Sequence, residues 1–270
     1  MNAPSGRCNS RPLFKTIMSK INFKYGWQPD LPDQRDQEYL ISAPVPLPTA
    51  VDLRPQCPPV YNQGDLGSCT ANAIAAAVDF ERGKQGLSFI NPSRLFIYYN
   101  ERAIEHTVDS DSGAQIRDGI KSVGKQGVCP ETEWPYNTAV FAEKPPRQCY
   151  TDSMKARALS YARIPANLNS MLQCLASGRP FVFGFTVYES FESDEVAKTG
   201  VVPMPGPGET VLGGHAVKAV GYDQLKGIFV VRNSWGADWG MEGYFTMPFE
   251  YLSNPNLADD RWVIKLVSPS

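Results

Sequence analysis

The sequence predicts an α+β fold of two lobes, and three observations carry that prediction. From about residue 60 to 150, apolar residues recur at helical spacing; from about 151 to 266 they gather into short strand-like runs; and 23 prolines and 22 glycines punctuate the chain with turns. A chain of 270 residues is long enough to bury one large core or two lobes that share a cleft. Hydrophobic residues at 42% and charged residues at 20% are ordinary for a globular protein. A net charge of -2 with no basic run gives no electrostatic case for nucleic acid or an anionic membrane as the main partner. No stretch approaches the roughly 20 apolar residues of a spanning helix.

The first segment, residues 1–46, differs from the rest. Lysines interrupt the apolar residues between Phe14 and Ile21, so the segment lacks the apolar region of a secretory signal. That leaves a cytoplasmic location or export by a non-standard route, and Met18 is a second candidate start. Tyr25-Gly26-Trp27-Gln28-Pro29-Asp30-Leu31-Pro32-Asp33-Gln34-Arg35-Asp36 is rich in proline and charge, with aromatic anchors, and reads as an extended strap with no core of its own. Ala43 to Pro48 is a stiff linker, and the compact unit, residues 47–270, opens with the strand-like Val51-Asp52-Leu53-Arg54.

A helix is expected from Cys69 to about Lys84, ended by Gly83 and Gly86. A second is expected from Pro92 to Ile104 with Asn91 as its N-cap, and a third from about Ala114 to Gly124, stopped by Gly127-Val128-Cys129-Pro130. Leu168 to Ala176 reads as a short helix. Phe181 to Val187 reads as a buried strand, Gly213 to Tyr222 as an alternating strand, and Ile228 to Arg232 as another buried one.

Gln63-Gly64-Asp65-Leu66-Gly67-Ser68-Cys69 places a cysteine at the first turn of a helix, where unpaired N–H groups and the helix dipole favour a thiolate. On its own such a cysteine is more often a buried structural residue. His215, behind Gly213 and Gly214, could be an ordinary strand histidine, and Asn233 an ordinary turn former. Together they supply what sulfur nucleophilic catalysis requires: a thiolate, a base that becomes the general acid, and a group that fixes the imidazole. The six cysteines, at 8, 57, 69, 129, 149 and 174, include no CxxC pair, and neither GxxxxGK[ST] nor a strand-linked GxGxxG occurs. No metal and no cofactor is expected.

Gln63-Gly64-x-x-Gly67-Ser68-Cys69, Gly214-His215-Ala216-Val217 and Asn233-Ser234-Trp235-Gly236-x-x-Trp239-Gly240-x-x-Gly243-Tyr244 closely resemble the three active-site blocks of papain-like cysteine peptidases. The resemblance runs from about Pro48 to Leu266, and the proline-rich strap looks like that of the bacterial branch. It implies a helical lobe with a central catalytic helix, a β-barrel-like lobe, and a cleft between them. It implies Cys69 as nucleophile, His215 as base and acid, Asn233 as the group that holds the ring, Trp235 as its shield, and Gln63 as oxyanion donor. It also implies a monomer acting on peptide or protein substrates through a thioester acyl-enzyme. A transglutaminase-like acyltransferase and a catalytically silent binding module on the same fold are the alternatives.

Departures from the family pattern are informative. Leu66 stands where the family commonly has a disulfide-forming cysteine, and Thr70 where it has an aromatic packing wall. Ser112-Gly113-Ala114 replaces the family's glycine pair, leaving Gly113 and Ala114 to meet the substrate backbone beside Gly214. Gly184 leaves the main specificity pocket roomy, which predicts a bulky apolar preference. The family's helical prosegment motif is missing, so the strap is expected to cross the cleft opposite to a substrate, anchored by Phe23, Tyr25 and Trp27, and to inhibit.

Overall fold

The structure, a computed structural model, describes residues 24–41 and 44–269. Its central element is helix α1 (Cys69–Lys84), whose alanine-rich run favours helix and exposes almost no side chain from Cys69 to Arg82. Its run from Ala71 to Val78, apolar apart from Asn72, has to be covered on every side. Here α2 (Arg94–Glu105) and α3 (Ile116–Gln126) cover one side, while strands β6 (Val211–Asp223) and β9 (Ala258–Val267) cover the other.

Two helix starts differ from the sequence expectation. Helix α2 begins after Ser93, whose side chain accepts from Phe96 N, and not after Asn91. Asn91 adopts φ 48° and Pro92 bridges to Pro130, so the two preceding residues belong to a loop contact. Ala114–Gln115 is a short strand, β3, rather than helix, because Ala114 N donates to Gly26 O at 2.7 Å and Gln115 N to Glu105 Oε1 at 2.7 Å.

The second lobe is an antiparallel sheet with β4 (Ala158–Arg163), β5 (Phe181–Tyr188), β7 (Ile228–Arg232) and β8 (Tyr244–Pro248) in the order β4-β9-β5-β6-β7-β8. Strand β2 (Ala50–Asp52) adds to β6. The sheet is open rather than a closed barrel, with β4 and β8 at its ends. Strand β5 is buried on both faces, which is why it reads as a continuous apolar run. Phe181, Phe183 and Phe185 enter one core with Val217, Phe229 and Phe245, whereas Val182 enters the other with Ile74, Leu95, Ile120, Ala216 and Trp262. The helical lobe's core is thus partly made of sheet residues. The α5 helix (Leu168–Ala176) starts at the Asn167 N-cap, and four shorter elements, α4 (Arg147–Asp152), α6 (Asp194–Thr199), α7 (Phe249–Ser253) and β1 (Trp27–Gln28), complete the set. No helix among the described residues is long and apolar enough to cross a membrane. Cys57, Cys69, Cys129, Cys149 and Cys174 are free thiols.

Gly127, the C-cap of α3, adopts φ 77° and ψ -160°, and a Cβ there would lie 1.8 Å from Ser153 O. The Gly127→Ala variant is expected to lose about 3 kcal/mol, combining a backbone conformation that only glycine readily adopts with a clash against main chain. Urea unfolding measures it, and a loss below about 1 kcal/mol would contradict the packing described.

Candidate active site

The site grows from the loop ahead of α1. Gln63 is fully buried, and its N–H donates to Ser234 O at 2.8 Å while Ser234 Oγ donates to Gln63 Oε1 at 2.7 Å. These two bonds orient the amide so that Nε2 faces Leu66 O at 3.0 Å and Lys24 O at 3.2 Å. Gly67 N donates to Asp111, Asn72 Nδ2 donates to Ser68 O, and the hydroxyls of Ser68 and Tyr136 meet at 2.6 Å. Tyr136 in turn donates to Gln63 O at 2.8 Å. Hydrogen bonds therefore fix the loop that Leu66, a core residue, cannot cross-link.

Cys69 opens α1 and is wholly buried. Burial pushes its thiol up to about 11, against the opposing effect of N–H groups from Ala216, Gly26 and Thr70. On β6, His215 lies with its Nε2 2.8 Å from Asn233 Oδ1. That oxygen also accepts from Ser234 N at 2.8 Å, which settles the amide's orientation and makes Nε2 the protonated nitrogen. In neutral His215 the lone pair is then on Nδ1, which has no hydrogen-bond partner among the described residues. Burial pulls the imidazole down to about 4. Trp235 stacks on it, centroids 5.0 Å apart and planes at 25°. Thr70, which stands where the family has an aromatic wall, donates to the buried Glu101 at 2.6 Å.

Residues 24–30 lie along this site. Gly26 fits so closely that a Cβ would fall 1.8 Å from Gly67 O. Tyr25 meets His215 and Trp235 ring to ring at 6.0 and 6.2 Å, and its hydroxyl bonds Glu192. Trp27–Gln28 pairs in parallel with Ala114–Gln115. The Trp27 indole lies on the bare backbone of Gly184 and Gly214, and its Nε1 donates to Asp260 Oδ2 at 3.0 Å. Lys24 bonds Asp111 at 2.8 Å, and Arg117 of α3 grips Asp36 through a 2.9 Å bond in a buried ion pair. Farther on, Tyr39 N donates to Arg163 O on β4. Phe23 lies outside the described residues.

The structure brings Cys69, His215, Asn233, Gln63, Gly113, Ala114, Gly184, Gly214 and Trp235 to one cleft. Sequence reasoning missed Ser234, Tyr136, Asp111 and Asp260. The signal for Tyr136 was the Trp134-Pro135-Tyr136 stretch and for Asp111 the polar Asp109–Gly113 loop, but neither pattern says what it faces.

A family model described as papain family cysteine protease matches residues 47–259. The chain is similar in structure to xylellain, a cysteine protease from Xylella fastidiosa, at 48% identity, covering 89% of this chain and 95% of that one with a TM-score of 0.84. It is 43% identical to a peptidase C1-like protein of Acanthamoeba polyphaga mimivirus, over 93% of this chain and 89% of the relative. It is 28% identical to pro-cathepsin H of Bos taurus, over 91% and 74%. These matches and the cleft just described have one reading: the chain belongs to the papain family of cysteine proteases and is a peptidase.

Proposed function

We propose that Cys69 attacks the peptide carbonyl, with His215 Nδ1 taking the thiol proton and later giving it to the leaving amine. A thioester to Cys69 remains, and water activated by the same nitrogen hydrolyses it, returning the thiol. The observation that carries this reading is the His215–Asn233 bond, which leaves Nδ1 as the basic nitrogen. Gln63 Nε2 and the Cys69 N–H, which has no intrahelical acceptor at the first position of α1, would hold the oxyanion. Support for Gln63 comes from the carbonyl of Lys24, which occupies its donor. The acyltransferase alternative has no support in the family match.

We also propose that the strap, residues 24–41, keeps the enzyme latent. It acts by volume and by desolvation together. Volume comes from Gly26 and Trp27, which fill the cleft. Desolvation leaves a thiol near 11 and an imidazole near 4, so between those pH values both are neutral and the reactive ion pair does not form.

The Gly26→Ala full chain cannot seat its strap against Gly67, and its kcat/KM on an extended peptide should exceed wild type by about tenfold or more, since each 1.4 kcal/mol of lost docking is tenfold. Adding Cys69→Ala should abolish hydrolysis and labelling by an epoxysuccinyl peptide. Equal rates for wild type and Gly26→Ala would sink the latency, and labelling of another residue would sink the nucleophile.

Iodoacetamide should alkylate wild-type Cys69 slowly at pH 7 and faster only as pH nears 11. In Gly26→Ala the rate should already be high at neutral pH, because water now solvates the ion pair. Superimposable pH profiles of the two proteins would contradict desolvation.

In the Gly26→Ala background, Gln63→Ala should lower kcat by about 10²–10³. It should also cost about 1–3 kcal/mol of stability, because Ser234 Oγ loses its buried acceptor. A variant that loses stability but keeps its kcat would remove Gln63 from the oxyanion site.

A further inference from the structure

We infer that Asp111 is a positioning residue that joins the two walls of the cleft: its carboxylate holds the loop ahead of Cys69 and, through Tyr98, the loop proposed to meet the peptide backbone. This rests on the catalytic reading above and names what keeps that site in shape.

The link runs through four residues. Gly67, two residues before Cys69, donates its N–H to Asp111, 3.0 Å from Oδ1 and 3.2 Å from Oδ2. The Tyr98 hydroxyl donates to the same Oδ1 and accepts the N–H of Gly113 at 3.2 Å. Burial, and then the Asp111 carboxylate, push the Tyr98 phenol up, so it keeps its proton and gives the hydrogen bond to the carboxylate. Gly113, Tyr98, Asp111 and Gly67 thus form one path from wall to wall. A hydrogen bond to a charged acceptor is about twice as strong as a neutral one, and here one carboxylate oxygen takes two.

Neither end of the path is free to drift. Tyr98 is fully buried on α2, and Arg102, one turn farther along and equally buried, donates Nε to Tyr98 O at 3.0 Å. The Arg102 guanidinium lies 4.0 Å over the Tyr98 ring centre and donates Nη1 to Val108 O at 2.7 Å and to Ser110 O at 3.0 Å. One buried cation therefore places both the phenol and the loop that carries Asp111. At the other end the fit is close, since a Cβ on Gly67 would lie 3.0 Å from Asp111 Oδ1.

The strap uses the same link. Lys24 Nζ reaches Asp111 Oδ2 at 2.8 Å, and Gly26 O accepts from Ala114 N at 2.7 Å, so the strap touches both walls that Asp111 joins. When the strap leaves, Lys24 leaves with it, whereas the bonds from Gly67 and Tyr98 lie outside the strap and stay. Loss of Asp111 would free Gly67, and with it the Cys69 N–H proposed for the oxyanion. Loss of the Tyr98 hydroxyl would free only Gly113. The first loss falls on the chemical step as well as on binding, the second chiefly on binding.

The test uses the full-length Gly26→Ala chain, with rates referred to the sites titrated by an epoxysuccinyl peptide so that unfolded protein does not count. Asp111→Ala should lower kcat by about tenfold or more and raise KM, because a misaligned donor at the reacting carbonyl costs rate directly. Asp111→Asn, which keeps an oxygen for Gly67 and Tyr98, should bring kcat back to within about threefold of Gly26→Ala. Tyr98→Phe should raise KM by about threefold or more with a smaller loss of kcat, and adding it to Asp111→Ala should change kcat/KM by no more than about twofold, since the path is already cut. Parent-like kcat and KM in Asp111→Ala overturn the inference, as do effects of the two substitutions that multiply or an Asp111→Asn no better than Asp111→Ala. Should Asp111→Ala not fold, an unchanged KM in Tyr98→Phe overturns it instead. Hydrolysis by Gly26→Ala in these cases leaves the catalytic reading standing; no hydrolysis, with Cys69 unlabelled, overturns both.

Discussion

The joint between Asn62-Gln63 and Ser234-Trp235 holds the rest of the site in register. Four residues make it: a bridge pairs Asn62 with Trp235, Gln63 N donates to Ser234 O, and Ser234 Oγ returns a bond to Gln63 Oε1. One side of this joint leads directly into α1 and Cys69. The other continues from Asn233, whose oxygen is held by Ser234 N and holds His215. The loop before the proposed nucleophile and the loop that aims the proposed base are thus parts of one hydrogen-bonded unit, although about 170 residues separate Gln63 from Ser234. Being buried, such bonds are costly to break singly, since each leaves an unpaired polar group.

A second layer makes up for the missing cross-link at Leu66. Arg94 reaches from α2 to Asn62 O and Asn72 Oδ1, is paired with Glu131 at 2.7 Å, and lies over the Tyr136 ring at 3.8 Å. Tyr136 ties that layer to Ser68 and Gln63. A disulfide constrains chiefly the unfolded chain, whereas this network acts on the native geometry alone. The loop is therefore held by groups that must all be packed at once, which couples the site's shape to the helical core.

Much of this was legible in the sequence, for identifiable reasons. Helix α1 and the strand at Phe181 were readable because both are buried all round, which writes the apolar runs Ala73–Val78 and Phe181–Phe185. Cys69, His215, Asn233 and Gln63 were readable as a set because each needs a particular chemical group. Helix α2 was misplaced by two residues because Asn91-Pro92 has the composition of a helix start while Ser93 makes the capping bond. Asp260 was illegible for a deeper reason. It adopts φ 53° where the β5–β9 register shifts between the pairs Val182↔Trp262 and Gly184↔Asp259, and no periodicity within β9 encodes a shift set by its partner.

The strap draws these levels together. Its composition, proline and charge with a few aromatics, cannot build a core, so its order must come from the surface it lies on. That surface is the cleft, and the residues that fit it are those with least freedom to vary in size: Gly26, where any Cβ meets Gly67, and Trp27, which fits only because Gly184 and Gly214 lack side chains. In the proposed reading, the same two glycines that admit the indole would admit a substrate side chain. If the strap keeps the enzyme latent as proposed, one that satisfies the pocket this fully lowers the free energy of the closed state by the interactions a substrate must replace. In this reading latency and substrate binding share their residues, and a change that relaxes one cannot leave the other as it was.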